Sequence, residues 1–239
     1  MSGIFYTFFT QPLFNLLVFL YDVVPGHDLG ITIILLTLVI KFILFPLSLS
    51  SIKSQKALQE LQPKMDEIRK KYKDDQQTQS KELMKLYGEH KVNPLSSCLP
   101  ILIQLPILFA LYKVFISGLH AENLKMLYTF VHNPGVLGAM FLGILNLAVP
   151  NQIMAVLAGI FQFIQTKMLQ QRQKKKSGDQ KKDEKDVAIT SMVNTQLTYV
   201  MPVLTVFIGL KLPAGLALYW IVSTLFAIGQ QWYIMRKDA

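Results

Sequence analysis

Any chemistry in this chain has to be arranged around Lys41, which lies within the apolar run Ile31–Leu49. An ammonium group held in hydrocarbon costs about 2.5–3.5 kcal/mol on insertion scales. Such a residue faces a protein interior or a water-filled cavity, or it snorkels its long stem to the membrane boundary. Read as one continuous helix at about 100° per residue, the run brings Thr37, Lys41 and Ser48 within roughly a 40° arc and turns Thr32 away. Other apolar runs hold matching groups: Gln104, then Gln162 and Gln165, then two adjacent stripes, Tyr219/Ser223/Gln230 and Trp220/Thr224/Gln231. Singly, such residues hydrogen-bond one helix to another. Together with Lys41 they predict a polar cavity inside a helical bundle. No Asp or Glu occurs in any of these runs. The cation must therefore be solvated, or be met by an acidic group arriving from outside.

The same inventory excludes several reaction classes. A proton relay through a membrane needs buried carboxylates or histidines, and the runs contain neither. His27, His90, His120 and His132 lie outside the runs and lack metalloprotease spacing, and there is no Walker loop or GxGxxG. No nucleophile stands beside a recognisable base. The single Cys98 excludes a disulfide framework and a cysteine-rich metal site, and at the start of a span it reads as a small buried hydrophobe. No catalytic residue, metal or cofactor is expected.

The elements that position these residues follow from composition. Of 239 residues, 51% are hydrophobic and 16% charged, with mean hydropathy +0.36. A soluble domain carries about 25% charged residues. The net charge of +9 could suggest nucleic acid, but the charges crowd into blocks and leave long stretches empty, as in a polytopic membrane protein. Five runs are long enough to span: Ile31–Leu49, Leu95–Ser117, Gln152–Leu169, Leu197–Leu212 and Gly215–Ile234. The last two are joined through Lys211-Leu212-Pro213-Ala214-Gly215, which demands a tight turn.

Residues 52–91 hold ten Lys/Arg and seven Asp/Glu, yet Leu58, Leu61, Met65, Ile68 and Tyr72 recur at steps of three and four. That is the seam of a helix packed on another helix. Lys73-Asp74-Asp75 breaks it, and Leu83, Leu86 and Tyr87 mark a second helix, giving a helical hairpin. A second block, Lys167–Thr190, has eight Lys/Arg and no apolar period, and reads as a flexible loop.

The two blocks and the tail Arg236-Lys237 carry 20 of the 24 basic residues, which puts them on the cytosolic side. Lys41 and Lys113 lie within spans. Residues 1–24 are apolar but interrupted by Pro12, Asn15 and Asp22, and read as a helix in the outer interface; a sixth span there would only move the N-terminus inside. Val136–Val149, interrupted by Gly138, Gly143 and Asn146, reads as a short outer-surface or re-entrant segment.

The expected architecture is all-α and polytopic, a five-transmembrane-helix core with a cytosolic helical hairpin and an N-terminal interfacial helix. Its parts are the interfacial helix and outer segment (1–30), transmembrane helix 1 (31–51), the hairpin (52–92), helix 2 (93–117), an outer loop with a short apolar segment (118–150), helix 3 (151–169), a flexible basic loop (170–192), helix 4 (193–212) and helix 5 (215–235).

The order of motifs is diagnostic. Lys41-Phe-Ile-Leu-Phe-Pro46-Leu precedes Leu61-Gln62-Pro63-Lys64, Leu86-Tyr87 and Lys91-Val-Asn93-Pro94-Leu. Then come Cys98-Leu-Pro100-Ile-Leu-Ile-Gln104-Leu-Pro106-Ile, Met201-Pro202 and Leu212-Pro213-Ala-Gly215-Leu-Ala-Leu-Tyr219-Trp220. In this order the chain resembles the YidC/Oxa/Alb membrane protein insertase family across residues 12–236.

The resemblance implies five core helices around a hydrophilic groove that is closed to the outside and open to cytosol and lipid, in a bacterial inner membrane. It implies an ATP-independent insertase and chaperone whose partners are nascent membrane proteins, lipids, the ribosome and the Sec translocon, with no specific nucleic acid. Groove residues would be Lys41, Thr37, Ser48, Gln104, Gln162, Gln165, Tyr219, Trp220 and Ser223. Lys56, Leu61, Pro63, Lys64, Met65 and Arg69 would form the recruitment surface of the hairpin. The family position matching Lys41 is usually Arg; Lys keeps the charge and loses the planar guanidinium. The chain is expected to lack the large external domain of some relatives and the long basic ribosome-binding tail of others. Two other readings stay open on the residues alone: a small anion transporter or channel using Lys41, and a lipid-metabolising membrane enzyme.

Overall fold

The computed structural model describes residues 3–93, 99–117, 127–176 and 187–237. Cys98, His120 and the lysine-rich stretch 177–186 fall outside the described residues. The chain forms two compact units. One draws on Met1–Ile43, Ile103–Gln165 and Met201–Ala239, the other on Leu44–Leu102 and Thr166–Val200.

In the first unit, α1 (Gly3–Phe5), a π-helical turn (Tyr6–Thr10) and α2 (Gln11–Val23) follow without a break. Pro12 does not interrupt the chain of helix, because it stands in the first turn of α2, where a residue without an N–H is tolerated. Asn15 is buried but satisfied: it donates to the Gln11 carbonyl at 2.8 Å and accepts from the Tyr128 N–H at 2.6 Å. Gly3–Val23 is 21 residues long with a mean hydropathy of 1.5. Among the described residues it is the one unbroken helix long and apolar enough to cross a membrane, by length and composition.

Asp28 starts α3 (Leu29–Ile43), its Oδ1 accepting from the Ile31 N–H at 2.8 Å as an N-cap. Leu29, Ile33, Leu36 and Ile40 recur at four, three and four and are buried, and α3 packs chiefly on α9 (Ala214–Lys237) and α2. The helix ends at Ile43, so the expected single helix over Ile31–Leu49 does not form. Pro46 is the physical reason: it has no N–H for the Phe42 carbonyl, and its ring crowds that carbonyl. A new helix, α4 (Phe45–Lys71), starts at the break and belongs to the second unit.

Met140–Phe141 (β1) and Leu145–Asn146 (β2) pair antiparallel, Met140 with Asn146 and Phe141 with Leu145. The apolar segment Val136–Val149 is therefore built around a β-hairpin, a small exception to the all-α expectation. At its tip Leu142 (φ 50°) and Gly143 (φ 69°) are left-handed, the arrangement that suits a tight hairpin turn. The Phe141 ring fills the space beside Gly30, where a Cβ would fall 2.0 Å from Cδ2.

Helices α6 (Leu99–Ser117), α7 (Gln152–Lys176) and α8 (Val187–Gly209) each contribute residues to both units. Residues 170–176 and 187–192, expected as part of a flexible loop, are helical. Within the first unit, α7 and α8 approach closely through small residues: a Cβ at Gly159 would meet Val206 at 2.3 Å, and one at Gly209 would meet the Ala155 Cβ at 3.0 Å.

In the second unit α4 and α5 (Gln76–Glu89) pack as a helical hairpin around Leu61, Met65 and Leu86, flanked by Ile68, Leu83, Tyr87 and Val92. Gln79 Nε2 donates to the carbonyls of Arg69 (3.1 Å) and Tyr72 (3.3 Å) at the end of α4. Asp75 caps α5 through the Thr78 N–H at 3.0 Å. The Thr78 hydroxyl, then its N–H, hold the Asp75 carboxyl below its ordinary pKa.

Candidate functional site

The residues singled out for chemistry converge on three helices of the first unit. Lys41 lies in the last turn of α3, not at the middle of a longer helix. That position places its charge beside the negative end of the helix dipole, an interaction worth about 0.3–1 kcal/mol when exposed and up to about 2 when partly buried. Lys41 Nζ, half-buried, donates to Gln104 Oε1 of α6 at 3.5 Å. Gln104 Nε2 in turn donates to Tyr219 Oη of α9 at 2.6 Å. Tyr219 is 1% exposed and shares a further hydrogen bond with Ser223 one turn on.

The polarity of this relay follows from donor types. An ammonium only donates, so Gln104 must turn its oxygen to Lys41, which leaves its NH2 for the tyrosine. The carboxamide thus ties a cation to a buried phenol without adding charge. Among the described residues Gln104 is the one polar partner of Lys41, and no carboxylate pairs with it. Lys113, also in α6, rests 5.4 Å from the centre of the Phe5 ring, a cation–π contact.

Not every expected groove residue joins this arrangement. Thr37 is fully buried, and its hydroxyl donates back to the Ile33 carbonyl at 2.6 Å, so it presents nothing to water. Ser48 lies on α4, past the break, and the 40° arc it was to share with Lys41 does not exist as one helix face. Gln162 accepts from the Thr205 hydroxyl of α8, while Gln165 and Trp220 are half-buried. Gln230 and Gln231 are buried, and Gln230 Nε2 and Gln231 Oε1 have no hydrogen-bond partner among the described residues. In the hairpin, Leu61 and Met65 turn inward as core, and Tyr87 Oη donates to the Met65 sulfur at 3.8 Å. Pro63 and Lys64 are exposed, with Lys64 Nζ 3.2 Å from His90 Nε2, and Arg69 pairs with Asp66 at 3.4 Å. Lys56 is half-buried.

Three structural residues escaped the sequence reading. Asn15, Tyr21 and Asp28 accept backbone N–H groups from Tyr128, Gly138 and Leu142, holding the segment that carries the β-hairpin. Asp28 carried a signal, an acid just ahead of an apolar helix. Asn15 showed only as a polar break in an apolar run and Tyr21 not at all, because their partners are backbone groups more than 110 residues away.

The model of the 60Kd inner membrane protein family matches residues 19–239, nearly the whole chain. The chain belongs to that family. The resemblance drawn from motif order is borne out, since curated relatives of this chain are membrane protein insertases named YidC. The Fusobacterium nucleatum YidC is 38% identical over 212 residues, covering 89% of this chain and 88% of that one. The Geobacter metallireducens YidC is 35% identical over 229 residues, 96% of this chain but 37% of that protein. This chain therefore spans nearly all of one relative and little more than a third of the other. Among solved structures, an active YidC insertase with its first transmembrane domain resolved matches with a TM-score of 0.60 at 25% identity, covering 97% of this chain and 47% of that one. The helical fold of this family is thus shared.

Proposed function

We propose that this chain is a membrane protein insertase that works without nucleotide hydrolysis. Its named relatives support the activity, and the relay on α3, α6 and α9 supports the manner. A polar segment entering hydrocarbon loses its hydrogen bonds to water, at a cost of several kcal/mol for each unpaired group. A hydrated groove reaching partway across the bilayer lowers that barrier. Lys41, tied to a neutral carboxamide and free of any internal acid among the described residues, keeps charge available for acidic residues of the incoming segment. The apolar part of the substrate leaves sideways into lipid and gains transfer energy. No covalent step is required.

In this reading five helices cross the inner membrane, and the α4–α5 hairpin, the basic segment after α7 and the C-terminus lie in the cytosol. The exposed Pro63 and Lys64 of the hairpin make the first contact with nascent chain or ribosome, over a core that keeps the two helices together. The observation that carries the proposal is the half-buried Lys41, whose polar partner is an amide.

Photocrosslinking from Gln165 tests the reading in cells. Adducts with nascent membrane proteins support it, and adducts only with lipid or small solutes would favour a transporter or a lipid enzyme and sink it.

A further inference from the structure

Residues 127–166 contain no Lys, Arg, Asp or Glu, and they include the β-hairpin, which belongs to no span. Its backbone is fixed from several directions, at the tip as well as at the base. The Gly138 N–H donates to Tyr21 Oη at 2.8 Å, and the Leu142 N–H donates to Asp28 Oδ2. From the first turn of α9, the Ala214 N–H donates to the Val149 carbonyl at 2.9 Å and the Gly215 N–H to the Leu147 carbonyl at 3.0 Å. Leu147 is fully buried.

What this held base presents is aliphatic. Leu142 is 60% and Ile144 86% exposed at the tip. A hairpin tip in water is ordinarily made of Gly, Asn, Asp or Ser. Here a leucine occupies a left-handed conformation that non-glycine residues rarely adopt, with its side chain outside the core. Upstream, the exposed Phe130 stacks at 5.4 Å on the half-buried Tyr128, and tyrosine is a residue type that gathers at membrane boundaries. Downstream, Ile153, Val156, Ile160 and Ile164 recur at three, four and four, an exposed apolar stripe along α7. The tip is therefore flanked along the chain by a stacked aromatic pair and an exposed apolar helix stripe, with no Lys, Arg, Asp or Glu in the chain between them.

We propose that the Leu142–Ile144 tip is a membrane anchor that inserts among lipid acyl chains at the outer-leaflet boundary. Its sidedness rests on the topology proposed above; its insertion does not. The Asp28 and Tyr21 bonds keep the tip from folding back, so the two side chains reach lipid without ordering a mobile loop first.

The test uses the full chain with Cys98→Ala, carrying a nitroxide at Ile144→Cys or at Leu142→Cys, in liposomes of phosphatidylethanolamine and phosphatidylglycerol. Power saturation compares collision with oxygen and with a water-soluble nickel chelate. Both tip sites should favour oxygen and lie within about 5–10 Å of the headgroup boundary. A Lys211→Cys label in the exposed turn supplies the aqueous reference. Nickel accessibility at both tip sites equal to that reference overturns the anchor, and two tip positions guard against one misfolded variant. Impermeant reductant added from each side reports the leaflet separately: a lipid-buried tip on the cytosolic side leaves the anchor standing and refutes the topology.

Discussion

Gln104 joins Tyr219 across α6 and α9 by a hydrogen bond of 2.6 Å, although 115 residues separate them in the chain. Because the tyrosine is 1% exposed, its hydroxyl cannot replace this partner with water. Replacing Tyr219 by Phe leaves the Gln104 NH2 short of an acceptor, and should cost about 1–3 kcal/mol in denaturant unfolding from detergent. The double variant Gln104→Leu, Tyr219→Phe should cost less than the sum of the single changes, since both polar groups go together. Strict additivity would show that the bond contributes no coupling.

Gly30 and Phe141 make a steric prediction. A methyl group at Gly30 would overlap the Phe141 ring, so Gly30→Ala should destabilise by about 1–3 kcal/mol. Adding Phe141→Leu should recover part of the loss. Thermal unfolding of both variants in detergent measures it.

The reach of the sequence is clearest in the second unit. Leu61 and Met65 were legible as part of a seam, and Leu86 as the mark of a second helix, because a hairpin so rich in charge must hide its apolar residues; these three form its core. The first unit was harder. In a chain read as crossing lipid, apolar residues face both protein and membrane, so hydropathy alone no longer tells inside from outside. The run Ile31–Leu49 looked continuous because averaging over side chains ignores the backbone donor that Pro46 lacks. Lys41, Gln104, Tyr219 and Ser223 were each legible as polar residues in apolar runs. Their order in the relay was not, since it depends on helix packing.

Asp28 holds two N–H groups at once, those of Ile31 and Leu142. Asp28→Ala should cost about 0.5–2 kcal/mol through the lost cap alone. Hydrogen exchange should quicken at both Ile31 and Leu142. Faster exchange at Ile31 alone would mean that the hairpin is held without this carboxylate.

The Asp75 cap makes a prediction about pH. Its folded pKa lies below the unfolded value near 3.8, so the cap is complete above that value and is lost as pH falls through the lowered folded one. Protection of the Thr78 amide should drop across that acid window. Asp75→Asn should make it flat with pH; an unchanged profile in that variant would assign the loss to another group.

Complementation in cells depleted of their own insertase reads out the charge at Lys41. Insertion of an acidic-tailed substrate is measured with Lys41, Lys41→Arg, Lys41→Ala and Lys41→Glu at matched protein levels. Arg should support insertion close to the unmodified chain, Ala should lower it, and Glu should lower it most, with the deficit shrinking as the acids of the substrate tail are neutralised. Insertion by the Lys41→Glu variant equal to that of the unmodified chain would mean that the charge at Lys41 plays no part in insertion.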